Sequence, residues 1–181
     1  MKSFRTFLEA TTHDQRHALQ HYSWEGHADL NKYHHTHKLV RLFKRHPSKV
    51  QDKHISDAIK GQKTEEDQTV WRNVPHQGHK ALHHIAKKGS GTLESKGYMS
   101  TSKKESVAHA FGYVANPKHR HILKIHVPKG SHAADMRKSG TINDSEAEVL
   151  LHKGAKLHVH KVEKTEHHTT YHANLVHDGV K

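Results

Sequence analysis

Two glutamates stand one residue apart in the run Glu146-Ala147-Glu148-Val149-Leu150-Leu151, in a chain where Lys and Arg outnumber Asp and Glu by 30 to 18. If the run is a strand, Glu146, Glu148 and Leu150 alternate with Ala147, Val149 and Leu151, and both carboxylates point to one face. Two like charges on one face repel, so the pair calls for a reason. Upstream lie two further groups able to do chemistry: Arg72, inside Thr69-Val70-Trp71-Arg72-Asn73-Val74-Pro75, and the triplet Ser100-Thr101-Ser102. Singly, each has an ordinary explanation. A strand arginine is usually a surface charge, a Ser/Thr triplet is usually a polar loop or a cap, and neighbouring glutamates usually face water.

The elements that must position these groups change character along the chain. Up to about residue 60 the pattern is helical. Leu30, Tyr33, His37, Val40, Leu42 and Phe43 recur at helical spacing up to Pro47, and Val50, Ile55, Ala58 and Ile59 form a shorter helix that stops at Gly61. From Asp67 onward β-type patterns appear. Thr69 to Val74 reads as a strand closed by Pro75, Lys80 to Ala86 as a helix, Glu105 to Phe111 as a short helix, and His121 to Val127 as a strand ended by Pro128. The segment 148–162 alternates on both sides of Gly154 and predicts a hairpin with a Lys-Gly turn. The fold class is therefore α+β: N-terminal helices over 1–65, then a β-rich core over 66–181, mainly antiparallel, within a single domain spanning 1–181.

Composition bounds the function. A chain of 181 residues can bury a core without staples. The absence of cysteine rules out disulfides and thiolate metal sites. The N-terminal stretch lacks the apolar run of a signal peptide and nothing reaches the length of a membrane span, so the expectation is a cytoplasmic protein without a membrane partner. A net charge of +12 with neutral histidines favours acidic partners, nucleic acid among them, but the charge is spread rather than concentrated in an arginine-rich run. The 25 histidines invite a metal reading, since His79 and His83 share a helix face and His34-His35-Thr36-His37 forms a cluster. No HExxH motif or well-spaced carboxylate accompanies them, and solvated positions are the simpler assignment; no metal is expected.

The order of the motifs carries more than any one of them. Arg, then Ser-Thr-Ser, then Glu-x-Glu is the order of the arginine-modifying mono-ADP-ribosyltransferases, the R-S-E class. GYMSTSKKESVAHAF, HILKIHVPKGSHAADM and EAEVLLHKGAKLHVHKVE resemble the enzymatic domains of clostridial binary toxins and their insecticidal relatives, and ALQHYSWEGHADLNKYHH resembles their tyrosine-bearing helical segment. The resemblance runs from about Ala18 to about Glu163.

This resemblance implies a two-sheet β core of ADP-ribosyltransferase type, cleavage of NAD between nicotinamide and ribose, and transfer of ADP-ribose to a protein arginine, with hydrolysis of NAD as a side reaction. Glu148 matches the catalytic glutamate, which stabilises the ribosyl cation left when nicotinamide departs. Glu146 matches the carboxylate that orients the acceptor guanidinium and takes its proton, a group otherwise too poor a nucleophile. Ser100 matches the serine that orients Glu148, while Thr101 and Ser102 brace the strand end. Arg72, with Asn73 beside it, matches the arginine that holds NAD through its phosphates. Phe111 corresponds to the aromatic on nicotinamide, Arg120 to the second phosphate arginine, and Tyr22 to a tyrosine near the cofactor.

Four positions depart from the pattern. Asn73 stands where binary toxins often carry a second arginine, Asn116-Pro117-Lys118 is inserted before Arg120, Asn143 replaces a target-recognising aromatic, and His27 replaces a tyrosine. These imply an altered target with intact chemistry. Two other readings stay open on the sequence: a basic binding module of the same fold without catalysis, and a histidine-rich metal buffer. On this length the expectation is a catalytic domain without an adaptor-binding one. A monomer acting in the cytoplasm where it is made, as a bacteriophage enzyme acts on host nucleic-acid machinery, is the corresponding expectation.

Overall fold

The computed structural model describes residues 12–22, 47–74, 76–110, 120–139 and 145–180. The helical pattern expected between Leu30 and Phe43 lies outside them.

Helix α1 (His13–His21) opens with a capping box. The Thr12 side chain accepts from the Gln15 N–H (3.2 Å), and the Gln15 side-chain oxygen accepts from the Thr12 N–H (2.8 Å), which satisfies two otherwise orphan donors. Helix α2 (Pro47–Lys60) stops before Gly61 as its pattern predicts. Ile55, Ala58 and Ile59 turn inward, but Val50 falls off that face and is 62% exposed. Together with Ala18, Leu19 and Tyr22 of the first helical segment, they pack on Tyr98, Ala134, Met136 and Leu150 to form one of two cores.

The β-rich part comprises β1 (Gln68–Asn73), α3 (His76–Lys88), β2 (Gly91–Glu94), β3 (Met99–Ser102), α4 (Glu105–Ala110), β4 (Arg120–Val127), β5 (Ala133–Asp135), a 3-10 turn (Met136–Ser139), β6 (Glu148–Leu151), β7 (Lys156–Lys164) and β8 (His168–His177). The strands pair in the order β2-β7-β8-β4-β1-β3-β6-β5. All pairs are antiparallel except β4 with β8, which run parallel from Arg120↔His168 to His126↔Asn174. The expected two sheets are two halves of this order. Among the described residues, five strands end at β1, three begin at β3, and the halves share the single pair Trp71↔Ser102.

The second core fills the space between the halves and beneath α3, with Val70, Leu82, Leu123, Ile125, Met99, Val149, Leu151, Val159 and Tyr171 among its members. β6 is buried on both faces: Val149 and Leu151 enter this core, while Leu150 packs against the helices. Such a strand reads as a continuous apolar run, which is the pattern of Val149-Leu150-Leu151.

The predicted hairpin over 148–162 is not formed. β6 pairs with β3 and β5, and β7 pairs with β2 and β8. Gly154, at φ 81°, turns the chain from one half to the other, and the turn bonds to Ser95 instead (Gly154 N–H to Ser95 O, 2.7 Å; Ser95 N–H to Ala155 O, 2.9 Å). A crossover between two half-buried strands leaves the same alternation around glycine as a hairpin does. β2, β5 and β8 have no counterpart among the predicted elements.

Candidate active site

Ser100 is where the three motifs meet. Its hydroxyl donates to Glu148 Oε1 (2.6 Å), and its carbonyl accepts from Arg72 Nη1 (2.5 Å). The register explains the first contact, because Ser100↔Leu150 and Ser102↔Glu148 pair across β3 and β6. Alternation puts Glu148 on the same face as Leu150, toward α1 and α2, where it is 8% exposed. A carboxylate this buried requires hydrogen bonds and a countercharge, supplied here by Ser100 and by Arg72, which feels Glu148 electrostatically. Burial lowers the Arg72 pKa, opposed by Tyr22 and by Glu148; a guanidinium so placed stays charged and can serve phosphate.

Glu146 does not share a strand face with Glu148. β6 starts at Glu148, and Ala147 adopts φ 45°, a left-handed conformation that costs an alanine about 1–2 kcal/mol. This break in alternation leaves Glu146 on the preceding turn. The turn is pinned from the end of β3 and the two residues after it: Ser102 Oγ donates to the Glu146 carbonyl (2.5 Å), the Lys103 N–H to Ala147 O (3.0 Å), and Lys104 Nζ to Ser145 O (2.9 Å). Glu146 is half-buried, and its pKa is raised first by burial and then by the Glu148 charge. The repulsion expected from sequence is thus present although the shared strand is not. The carboxylate is correspondingly more basic, which suits a proton acceptor.

Thr101 points to the other side of β3 and closes the ladder through its hydroxyl to Val149 O (2.6 Å). Asn73 ends β1 opposite Ile122. Tyr22 is 1% exposed, its hydroxyl donates to Tyr98 O (3.4 Å), and it reaches the site through its influence on Arg72. Arg120 is not brought to Arg72. Arg72 pairs with Leu123, and alternation along β4 places Arg120 on the opposite face, in the electrostatic environment of His168, whose ring lies 4.8 Å from that of His109 on α4. Arg120 Nε is buried without a partner among the described residues. Phe111, Asn143 and His27 lie outside the described residues.

The sequence matches the family model for the ADP-ribosyltransferase exoenzyme domain over residues 1–180. The chain belongs to that family. Its fold is similar to Plx2a, an ADP-ribosyltransferase toxin from Paenibacillus larvae, at 16% identity and a TM-score of 0.76, covering 97% of this chain and 92% of that one. It is similar to BECa, an ADP-ribosylating toxin of a binary enterotoxin of C. perfringens solved with NADH, at 19% identity and a TM-score of 0.75, covering 97% of this chain and 46% of that one. It is also similar to the ADP-ribosyltransferase Vis of Vibrio splendidus, solved with agmatine, at 20% identity and a TM-score of 0.70, covering 94% of this chain and 78% of that one. No curated protein matches the sequence.

In this ADP-ribosyltransferase the paired histidines of α3 stand against β4, His79 half-buried and His83 exposed. His79 and His83 lie 4.0 and 5.0 Å, ring to ring, from His121, whose Nδ1 meets the Tyr171 hydroxyl (3.0 Å). No group of three or more metal-ligating side chains occurs among the described residues. Sequence reasoning missed Asp52, Ser56, His152 and Lys153, which surround Tyr98 at the far end of β3 and β6. The one available signal was Tyr98 itself, an aromatic set just before Ser-Thr-Ser.

Proposed function

We propose that this enzyme is an arginine-specific mono-ADP-ribosyltransferase that also hydrolyses NAD slowly. The observation that carries this reading is the convergence on Ser100, whose hydroxyl holds Glu148 while its carbonyl holds Arg72. With NAD as substrate, the bond between ribose C1′ and the nicotinamide nitrogen breaks and its electron pair leaves with nicotinamide. Glu148 stabilises the positive charge left on the ribose. A guanidine nitrogen of the acceptor then bonds to C1′, and its proton passes to Glu146; when water attacks instead, the outcome is hydrolysis. Arginine is supported by a carboxylate rather than an amide at position 146, raised in pKa by burial and by Glu148, and by the fold's likeness to Vis, which was solved with the guanidine compound agmatine. The +12 charge directs the enzyme toward acidic surfaces, for which nucleic-acid-bound machinery in the cytoplasm of a bacterial host is our reading.

The test is nicotinamide release from NAD by purified protein, with and without agmatine as acceptor. Release that rises with agmatine, and that falls by roughly 100-fold or more in Glu148→Gln, is the expected result. No release from folded protein at high enzyme concentration would leave the non-catalytic basic binding module as the better description.

A further inference from the structure

A second buried polar cluster lies at the far end of the catalytic ladder. Tyr98, 2% exposed, immediately precedes β3, and its hydroxyl meets Oδ1 (2.8 Å) and the carbonyl (2.9 Å) of Asp52 on α2. Lys153, two residues beyond β6, donates to both Asp52 carboxylate oxygens (2.6 and 2.5 Å). His152 Nδ1 lies 2.7 Å from the Lys153 carbonyl, so that nitrogen carries the proton and Nε2 accepts from Ser56 Oγ (2.8 Å), also on α2. The Tyr98 ring stands edge-on to His152 (5.6 Å) and to Tyr22 (5.8 Å).

The geometry is that of a clamp. The β3–β6 ladder runs from Met99↔Leu151 to Ser102↔Glu148. Tyr98 and His152 are the next residues outward at one end; Glu148 is at the other. Helix α2 grips β3 through Tyr98 and β6 through His152 and Lys153. A ladder this short has little stiffness alone, while a reacting carboxylate must be held to within about 0.5 Å. Burial, and then the Asp52 carboxylate, push the Tyr98 phenol well above its ordinary pKa, so its hydroxyl remains a donor at every working pH.

We propose that Tyr98 and Asp52 are positioning residues for Glu148: by fixing the distal end of the β3–β6 ladder to α2, they set the carboxylate's place relative to Ser100 and the substrate. The kinetic part rests on the reading of Glu148 as the catalytic glutamate. Tyr98→Phe keeps the ring contacts and removes only the hydroxyl. Its expected effect is a fall of about tenfold in kcat for nicotinamide release with KM for NAD within about twofold, and no further loss when combined with Glu148→Gln. Asp52→Asn, which keeps a side-chain oxygen for Tyr98 and Lys153, retains most of the activity that Asp52→Ala loses. Hydrogen exchange supplies a readout independent of catalysis. In Tyr98→Phe the amides of residues 100–102 and 149–151 exchange faster while those of α3 do not change. An unchanged kcat beside an active wild type, an equal loss in the Glu148→Gln background, or unchanged strand exchange would each overturn the proposal. If the wild type releases no nicotinamide yet exchange rises selectively in β3 and β6, the clamp stands and the enzymatic reading falls.

Discussion

Ser100→Ala offers the sharpest test of how the site is built, because the residue serves two partners with two different atoms. The hydroxyl donates to Glu148 at 2.6 Å, whereas Arg72 is held by the backbone carbonyl, which alanine keeps. The substitution therefore releases the glutamate and leaves the guanidinium in place. A hydrogen bond to a buried charge contributes about 1.5–3 kcal/mol. If that amount is lost from orientation of the carboxylate in the transition state, kcat falls by roughly 10- to 150-fold at about 1.4 kcal/mol per factor of ten. Steady-state nicotinamide release over a range of NAD concentrations separates the terms: kcat drops while KM stays within about threefold. The reasoning is refuted if kcat is unaffected while Glu148→Gln is inactive, since Glu148 then needs no orienting donor. A rise in KM with kcat unchanged refutes it equally, because Ser100 would then act through Arg72.

Arg72→Lys is expected to do the reverse, raising KM for NAD by about 10-fold or more while kcat changes less, because a single ammonium cannot hold the Ser100 carbonyl and present a planar fork to phosphate together; a titration of initial rates decides it. Glu146→Gln should remove transfer to agmatine but leave much of the hydrolysis. In the wild type, transfer should fall on acidification through a pKa above the ordinary 4.5 of glutamate, since burial and Glu148 raise it; equal loss of both reactions would show that the two carboxylates do not divide the work. His152 contributes to acid sensitivity. Burial first, with the charges of Lys153 and Lys60, lowers its folded pKa below 6.5 against the pull of the Lys153 carbonyl and Asp52. Its contribution is fully present above pH 6.5 and is lost as the pH falls through the folded value, at up to about 1.4 kcal/mol per pH unit. Thermal unfolding at pH 7.5 and pH 5 should accordingly show a smaller drop in Tm for His152→Gln than for the wild type.

The parts of this fold legible in sequence are those whose physics is local. The helix that ends at Gly61, the strand ahead of Pro75 and the strand 120–127 announce themselves by periodicity and breakers. Pairing is not local. The alternation around Gly154 fits a hairpin and a crossover equally well, and only the partners of β6 and β7 distinguish them. β8 passed unnoticed because histidines and threonines interrupt its apolar residues, although Tyr171, Ala173 and Leu175 line the core. At the candidate site, Arg72, Ser100 and Glu148, grouped by motif order, meet in space. The left-handed Ala147 that separates Glu146 from the strand has no sequence mark, as alanine is not a residue that favours that conformation. Asp52 lies 46 residues from Tyr98 and 101 from Lys153; nothing nearby in the chain signals that these three meet.

The lone pair Trp71↔Ser102 that joins the two sheet halves has a mechanical meaning. Rotation in a continuous sheet must break a row of hydrogen bonds, whereas the seam between these halves is crossed by one residue pair and by the Arg72 bond to the Ser100 carbonyl. Arg72, next to Trp71 on one side, and Glu148, paired with Ser102 on the other, flank that seam. A few degrees of turning would widen or narrow the gap between guanidinium and carboxylate while every other ladder stays intact. The seam also insulates: the turn around Glu146 is bonded to the three-strand half, away from the five-strand half that carries Arg72.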